Sequence, residues 1–209
     1  MGSSEQGVLI GRDGGRDEPA LPNGNAPYAS LRPRPGDRAL KLLCRAVPPL
    51  WAALGWRTAA DAFGHYLRGT GTPFALDAHA LLAVPVVRDA VDAQLAHWRE
   101  EARTLPPGTY PADSGWRGVL ITRSASRDLW LALRGVQFRV VGSAEVGPDG
   151  TVRTPYRFSV HKTWNFDRGE SEYGIPFTPF ARLHETGLAR EFTAEGETDG
   201  PVGPDAGPR

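Results

Sequence analysis

The sequence has only one cysteine and no net charge, and each of these features excludes a class of protein. It contains one cysteine, Cys44, so no disulfide bond can form within the chain. Its 24 basic and 24 acidic residues give a formal charge of zero at pH 7. Because no overall field attracts a polyanion, we expect no nucleic-acid partner.

Long apolar segments are also missing. The longest apolar stretch, residues 40–54, is interrupted by Lys41, Arg45 and two prolines and is too short to span a bilayer. The first residues, MGSSEQGVLIGRDGG, lack the charged start and the apolar run of a secretory signal. We therefore expect no transmembrane segment, and a location in the cytoplasm or export by a route without a cleaved signal peptide.

Motifs for metals and cofactors are missing as well. None of the five histidines falls in an H-x-x-x-H or H-E-x-x-H pattern. The glycines of HYLRGTGTP follow a helical pattern, whereas a phosphate-binding loop follows a strand and precedes a helix. The sequence predicts neither a metal site nor a cofactor.

Composition divides the chain into three parts. Residues 1–36 and 198–209 are rich in glycine, proline and polar residues, which predicts disordered tails. Residues 37–197 are predicted to form a single domain, in which helical periodicity gives way after residue 105 to alternation of apolar and polar residues. This order predicts an α+β fold, with N-terminal helices packed on a C-terminal antiparallel sheet that is strongly bent or a half barrel.

Three segments carry most of this prediction. A long helix over residues 86–105 should bury Leu95 and Trp98. Residues 128–146 are predicted as one bent strand with bulges at its glycines. In the following strand, TVRTPYRFSVHKTW, alternation places Phe158 on the apolar face and His161 on the polar face.

The densest group of polar side chains lies in FSVHKTWNFDRGESEYG, residues 158–174. A histidine beside a carboxylate can act as a general base, and an arginine can stabilise an anion. His161, Asp167 and Arg168 are therefore the candidate catalytic residues. Further candidates for binding are Trp164, Asn165, Glu170, His65 and His184.

The same residues also fit a structural interpretation. Asn165, Asp167 and Gly169 are turn formers, so the stretch can be a corner whose aromatic residues pack on the domain while its charges face water. His65 and His184 can each bond a loop carbonyl. The sequence leaves open whether the protein is an enzyme.

The blocks HYLRGTG, WNFD and LHETGLA, in this order, resemble a group of actinobacterial domains found at the C-terminus of secreted-toxin or effector-type proteins. That resemblance covers residues 60–196. Residues 115–196 also resemble the activity domain of colicin M-type bacteriocins, which cleave the lipid-linked cell-wall precursor. Lys162, Trp164 and Asn165 stand where that motif has aspartate, tyrosine and a second aspartate, and no His-Arg pair follows.

Three functions follow as expectations. The first resemblance implies an effector- or toxin-type domain that acts through an unknown protein or cell-envelope component. The second implies a hydrolase of lipid-linked cell-wall precursors. A structural accessory protein without catalysis is the third.

Overall fold

The structure is a computed structural model that describes residue 10, residues 24–172 and residues 174–200. Its helices are α1 (Pro35–Cys44), α2 (Val47–Ala53), α3 (Arg57–Arg68), α4 (Ala78–Leu82), α5 (Pro85–Ala102), α6 (Arg127–Ala132) and α7 (Thr178–Glu185). Its strands are β1 (Phe74–Ala75), β2 (Gly108–Asp113), β3 (Arg117–Leu120), β4 (Gly135–Val146), β5 (Val152–Arg153), β6 (Tyr156–Trp164), β7 (Ser171–Glu172), β8 (Ile175–Pro176) and β9 (Phe192–Asp199).

Seven of these strands form one sheet that does not close into a barrel. The main path runs β1-β9-β6-β4-β2, and β3 and β5 each pair with β4. The central strand β6 is antiparallel to both β4 and β9, while β7 and β8 form a separate hairpin. The predicted α+β class is confirmed, with most helices before the sheet and an antiparallel centre.

The helix α5 packs against the sheet through one apolar stripe. Val87, Val91, Leu95, Trp98 and Ala102 recur at intervals of three or four residues, and all are buried. This spacing places them on one side of a helix. The helix predicted from this pattern is confirmed, and it ends at Ala102 rather than near residue 105. None of the described helices combines the length and the apolar character needed to cross a membrane.

The prediction of one strand over residues 128–146 is wrong in its first part. Residues 127–132 form α6, whose first turn is capped by the Ser126 hydroxyl, which accepts a hydrogen bond from the Leu129 N–H at 3.2 Å. The strand begins only at Gly135, after Arg134 adopts a positive φ of 53°. A short apolar segment fits both the helical and the strand periodicity. Here the Ser126 cap stabilises the helix.

A short parallel pairing lies at each side of the sheet. β1 pairs in parallel with β9. At the other edge, the Ile10 N–H donates to the Pro111 carbonyl at 3.0 Å, and the Asp113 N–H donates to the Ile10 carbonyl at 3.2 Å. The Ile10 side chain is also buried, so its backbone hydrogen bonds to β2 are accompanied by apolar burial of the side chain.

Residues 24–36, assigned from sequence to the amino-terminal tail, contact the domain. The Asn25 amide donates to the Phe166 carbonyl and to Glu191 Oε1, both at 2.7 Å, and Asn25 Oδ1 accepts the Arg168 N–H at 3.0 Å. The Ala26 N–H donates to Glu185 Oε1 at 3.0 Å. At the other end, β9 extends to Asp199, two residues beyond the predicted end of the domain.

We expect Asn25→Ala to lower the free energy of unfolding by about 1–3 kcal/mol, because partly buried donors and acceptors lose their partner. Chemical denaturation monitored by tryptophan fluorescence measures this change. Ser124→Ala, which removes an exposed hydroxyl bonded to Thr122 Oγ1, is the control. A change for Asn25→Ala no larger than that of the control would show that these contacts of residues 24–36 do not stabilise the domain.

Candidate functional site

Adjacent residues of β6 face opposite sides of the sheet. The polar side chains within 158–174 are therefore divided between the two sides. Phe158, Val160 and Trp164 are buried on the helix-covered side. Lys162 falls in the same phase of the alternation, so it lies on that side too. His161 lies on the other side, where its ring contacts Trp116 edge-on at 5.9 Å between centroids.

The side of the sheet that carries His161 has a broad, shallow groove of about 570 Å³. Three of its charged residues, Arg139, Arg157 and Glu197, are already bonded. Arg139 donates to both oxygens of Asp113, at 2.9 and 2.5 Å, and the Ser159 hydroxyl donates to Glu197 at 3.1 Å. This groove therefore resembles a polar outer sheet face more than a reaction centre.

A second cavity of about 440 Å³ lies at the carboxyl end of β6, on the helix-covered side. Aromatic side chains form a large part of its wall, contributed by Trp51, Phe63, Trp130, Trp164, Phe166, Phe177 and Phe180. Its polar residues are Arg134, Lys162, Asn165, Asp167 and Glu172. A mainly apolar cavity of this volume with a few polar groups is typical of a small-molecule site.

Lys162 is the unusual member of this cavity. It is partly buried and, within the described part of the chain, its ammonium makes no hydrogen bond. Burial lowers the pKa of Lys162, and the nearby charge of Asp167 offsets this only in part. A buried ammonium without a close partner is unfavourable, because desolvation of the charge is not compensated.

Asp167 forms the polar rim beside Lys162. Burial raises the pKa of the Asp167 carboxyl, although the charge of Lys162 opposes this. The Asn165 amide donates to Asp167 Oδ1 at 2.5 Å and fixes the orientation of the carboxylate. The cavity thus joins an aromatic wall to an unpaired cation and a carboxyl group that accepts a proton more readily than usual.

Arg168 and Glu170 do not point into this cavity but stabilise the corner after β6. Arg168 binds both oxygens of Glu185, a fully buried side chain. Burial opposes ionisation of Glu185, but the Ala26 N–H and Arg168 outweigh burial and hold the pKa of the carboxyl below its ordinary value. The backbone of Glu170 bonds Asp167 and Phe177.

The two other candidate histidines, His65 and His184, each hydrogen-bond to the backbone. His65 Nε2 lies 2.8 Å from the Thr72 carbonyl, and its Nδ1 lies 3.1 Å from the Arg68 guanidinium. His184 Nδ1 accepts the Glu191 N–H at 3.1 Å. No group of three possible metal ligands occurs among the residues that the structure describes.

The structure therefore brings together Trp164, Asn165 and Asp167 but separates them from His161, Arg168, His65 and His184. Sequence reasoning did not select Lys162. A signal was nevertheless present, since this lysine occupies an apolar phase of β6 between Val160 and Trp164. It is also one of only two lysines in a chain with 22 arginines.

The sequence matches no protein-family model and no curated protein. Among solved structures, it is similar to PaeM, a colicin M-like bacteriocin produced by Pseudomonas aeruginosa, with a TM-score of 0.43 and 17% identity over 72% of this chain and 52% of that chain. It is also similar to truncated bacteriocin syringacin M from Pseudomonas syringae pv. tomato DC3000, with a TM-score of 0.36 and 14% identity over 70% of this chain and 60% of that chain. The alignment thus spans less than two thirds of either bacteriocin chain.

Proposed function

We propose that this chain is an effector- or toxin-type domain that binds an amphipathic anion of the cell envelope in the cavity at the end of β6. The ligand class is a hydrocarbon chain that ends in a phosphate or diphosphate, as in lipid-linked cell-wall precursors. Lys162 is the observation that carries this proposal, because it places an unpaired cation in an aromatic cavity.

The two parts of the cavity fit the two parts of such a ligand. The aromatic wall offers apolar contact to the hydrocarbon chain, which gains free energy by leaving water. An anionic head beside Lys162 would supply the hydrogen-bonded partner that the ammonium lacks among the described residues. The part of the desolvation cost of Lys162 that Asp167 leaves uncompensated is thereby offset when the ligand binds.

Hydrolysis of the bound ligand is the alternative function, and Asp167 favours it. A carboxyl group whose pKa is raised can accept a proton from an attacking water molecule nearer to neutral pH. Lys162 would then stabilise the phosphate oxygens as charge develops on them. This assignment keeps Asp167 from the candidates of the sequence and replaces His161 and Arg168 with Lys162.

The test uses farnesyl diphosphate as a soluble probe, with farnesol and inorganic diphosphate as its apolar and polar halves. Binding is followed by the fluorescence of the tryptophans that line the cavity. We expect Lys162→Met to weaken farnesyl diphosphate binding by about tenfold to a hundredfold, as expected for loss of a charged contact. His161→Ala, which changes the neighbouring residue on the opposite side of the sheet, should keep the affinity.

Thermal unfolding provides the second readout for Lys162→Met. Folding lowers the pKa of Lys162, so this residue destabilises the folded state at any pH below its ordinary pKa of 10.5, and neutral pH lies in that range. The variant should therefore melt at a higher temperature than the parent at neutral pH while binding less ligand. Unchanged affinity in Lys162→Met would refute the proposal.

Hydrolysis is tested separately with a lipid-linked precursor, where Asp167→Asn should retain binding and lose turnover.

A further inference from the structure

The helices α1 and α2 expose more apolar surface than a solvated helix pair needs. Leu42, Leu43, Leu50 and Leu54 are each between 53% and 72% exposed, and they lie within thirteen residues of one another. Single exposed leucines are ordinary on a protein surface, but a group of this kind marks an interaction site. We call the exposed residues of positions 38–57 the α1–α2 face.

The charges of this segment all have one sign. Residues 38–60 contain Arg38, Lys41, Arg45 and Arg57 and no aspartate or glutamate, although the whole chain is neutral. The three arginines are exposed, whereas Lys41 donates to the Leu188 carbonyl. Leucines flanked by exposed arginines are the combination that binds a lipid surface with anionic headgroups.

The α1–α2 face adjoins the cavity through α2. Val47 and Trp51 of this helix line the cavity, while Leu50 and Leu54 of the same segment face outward. A surface on which α2 rested would therefore lie beside the cavity wall. A ligand that is anchored in a bilayer by its hydrocarbon chain would have a short path from the lipid phase to Lys162.

We infer that the α1–α2 face docks on the surface of an anionic lipid bilayer. This inference rests on the proposed function, since a lipid-linked ligand is presented at such a surface. The leucines enter the boundary between headgroups and acyl chains, and the arginines contact the acidic headgroups. Docking is interfacial, because none of the described helices is suited to span a membrane.

Vesicle flotation tests this inference with the full chain. Vesicles of phosphatidylcholine with 30% phosphatidylglycerol, a fraction that we choose for a negative surface of about physiological strength, are compared with pure phosphatidylcholine. We expect binding to the anionic vesicles only. Binding should fall at least about tenfold in Leu50→Asn/Leu54→Asn, through loss of apolar insertion. It should fall roughly fivefold for each of Arg38→Gln and Arg45→Gln.

Leu120→Asn is the matched control, because this leucine is 57% exposed on β3 and lies outside the α1–α2 face. It should leave vesicle binding unchanged. Farnesyl diphosphate binding in the absence of vesicles should be unchanged in Leu50→Asn/Leu54→Asn, so failure of the docking surface and failure of the cavity can be distinguished. Equal binding to neutral and anionic vesicles, or no binding to either, would overturn the inference. It would also be overturned if light scattering showed that the parent is a dimer which the leucine substitutions dissociate, since a second copy would then cover this face.

Discussion

Replacing Trp98 by alanine should lower the free energy of unfolding by about 3–5 kcal/mol, the cost of deleting a large buried aromatic side chain. Trp98 has no exposed surface and lies on the stripe of α5 that packs against the sheet. Neighbouring side chains cannot collapse fully into the space left by an indole ring, so the cavity that remains adds to the lost apolar contact. Urea denaturation of the parent and the variant measures the difference.

Trp98→Phe is the control for this prediction. The indole Nε1 of Trp98 is buried and has no hydrogen-bond partner among the described residues. Phenylalanine removes this unsatisfied donor and keeps most of the ring, so its cost should stay well below that of alanine. If Trp98→Ala changed stability by less than about 1 kcal/mol, the assignment of the buried side of α5 would be wrong.

The second large effect is expected for Trp164→Ala, which should also cost about 3–5 kcal/mol. Trp164 stacks on Phe192 with 5.2 Å between ring centroids and 9° between planes, and its Nε1 donates to the Ala132 carbonyl at 2.6 Å. This residue therefore joins β6 to β9 and to the end of α6. Its loss removes a buried ring and leaves a buried carbonyl without this donor.

His161→Ala tests whether this effect is specific to the inner side of β6. His161 is only half-buried, and its ring contacts Trp116 on the opposite side of the sheet. We expect a change below about 1 kcal/mol, as for most surface substitutions. Equal losses for Trp164→Ala and His161→Ala in the same urea titration would contradict the assignment of the two faces.

The parts of the fold that follow from local pattern could be predicted from sequence. The stripe of α5 and the alternation of β6 each depend on residues a few positions apart. The glycines of HYLRGTGTP do follow a helix, and Gly69 caps it with a positive φ of 74°. Contacts between distant residues could not be predicted in this way. Asp128, for example, accepts hydrogen bonds from Thr58 and Ala59 and so caps a helix seventy residues earlier in the chain.

The same distinction explains the candidate site. Trp164, Asn165 and Asp167 were selected because they are close in sequence, and they do share a cavity. Arg168 is just as close in sequence, yet its guanidinium bonds Glu185 and its backbone N–H bonds Asn25, so it does not reach the cavity. The alternation of β6 places Lys162 in an apolar phase, but the cavity that it lines depends on walls from α2, α6 and α7, which are distant in sequence.

The short parallel partners at the two edges of the sheet limit what the outer strands expose. An uncovered edge presents a row of backbone donors and acceptors on which another chain can add as a further strand, the first step of amyloid-like aggregation. β1 occupies part of the outer side of β9, and Ile10 occupies part of the outer side of β2. Ile10 thus covers backbone groups of Pro111 and Asp113 to which a strand of another molecule could otherwise bond. Because strand addition between molecules is favoured by high protein concentration, this cover matters most in concentrated solution.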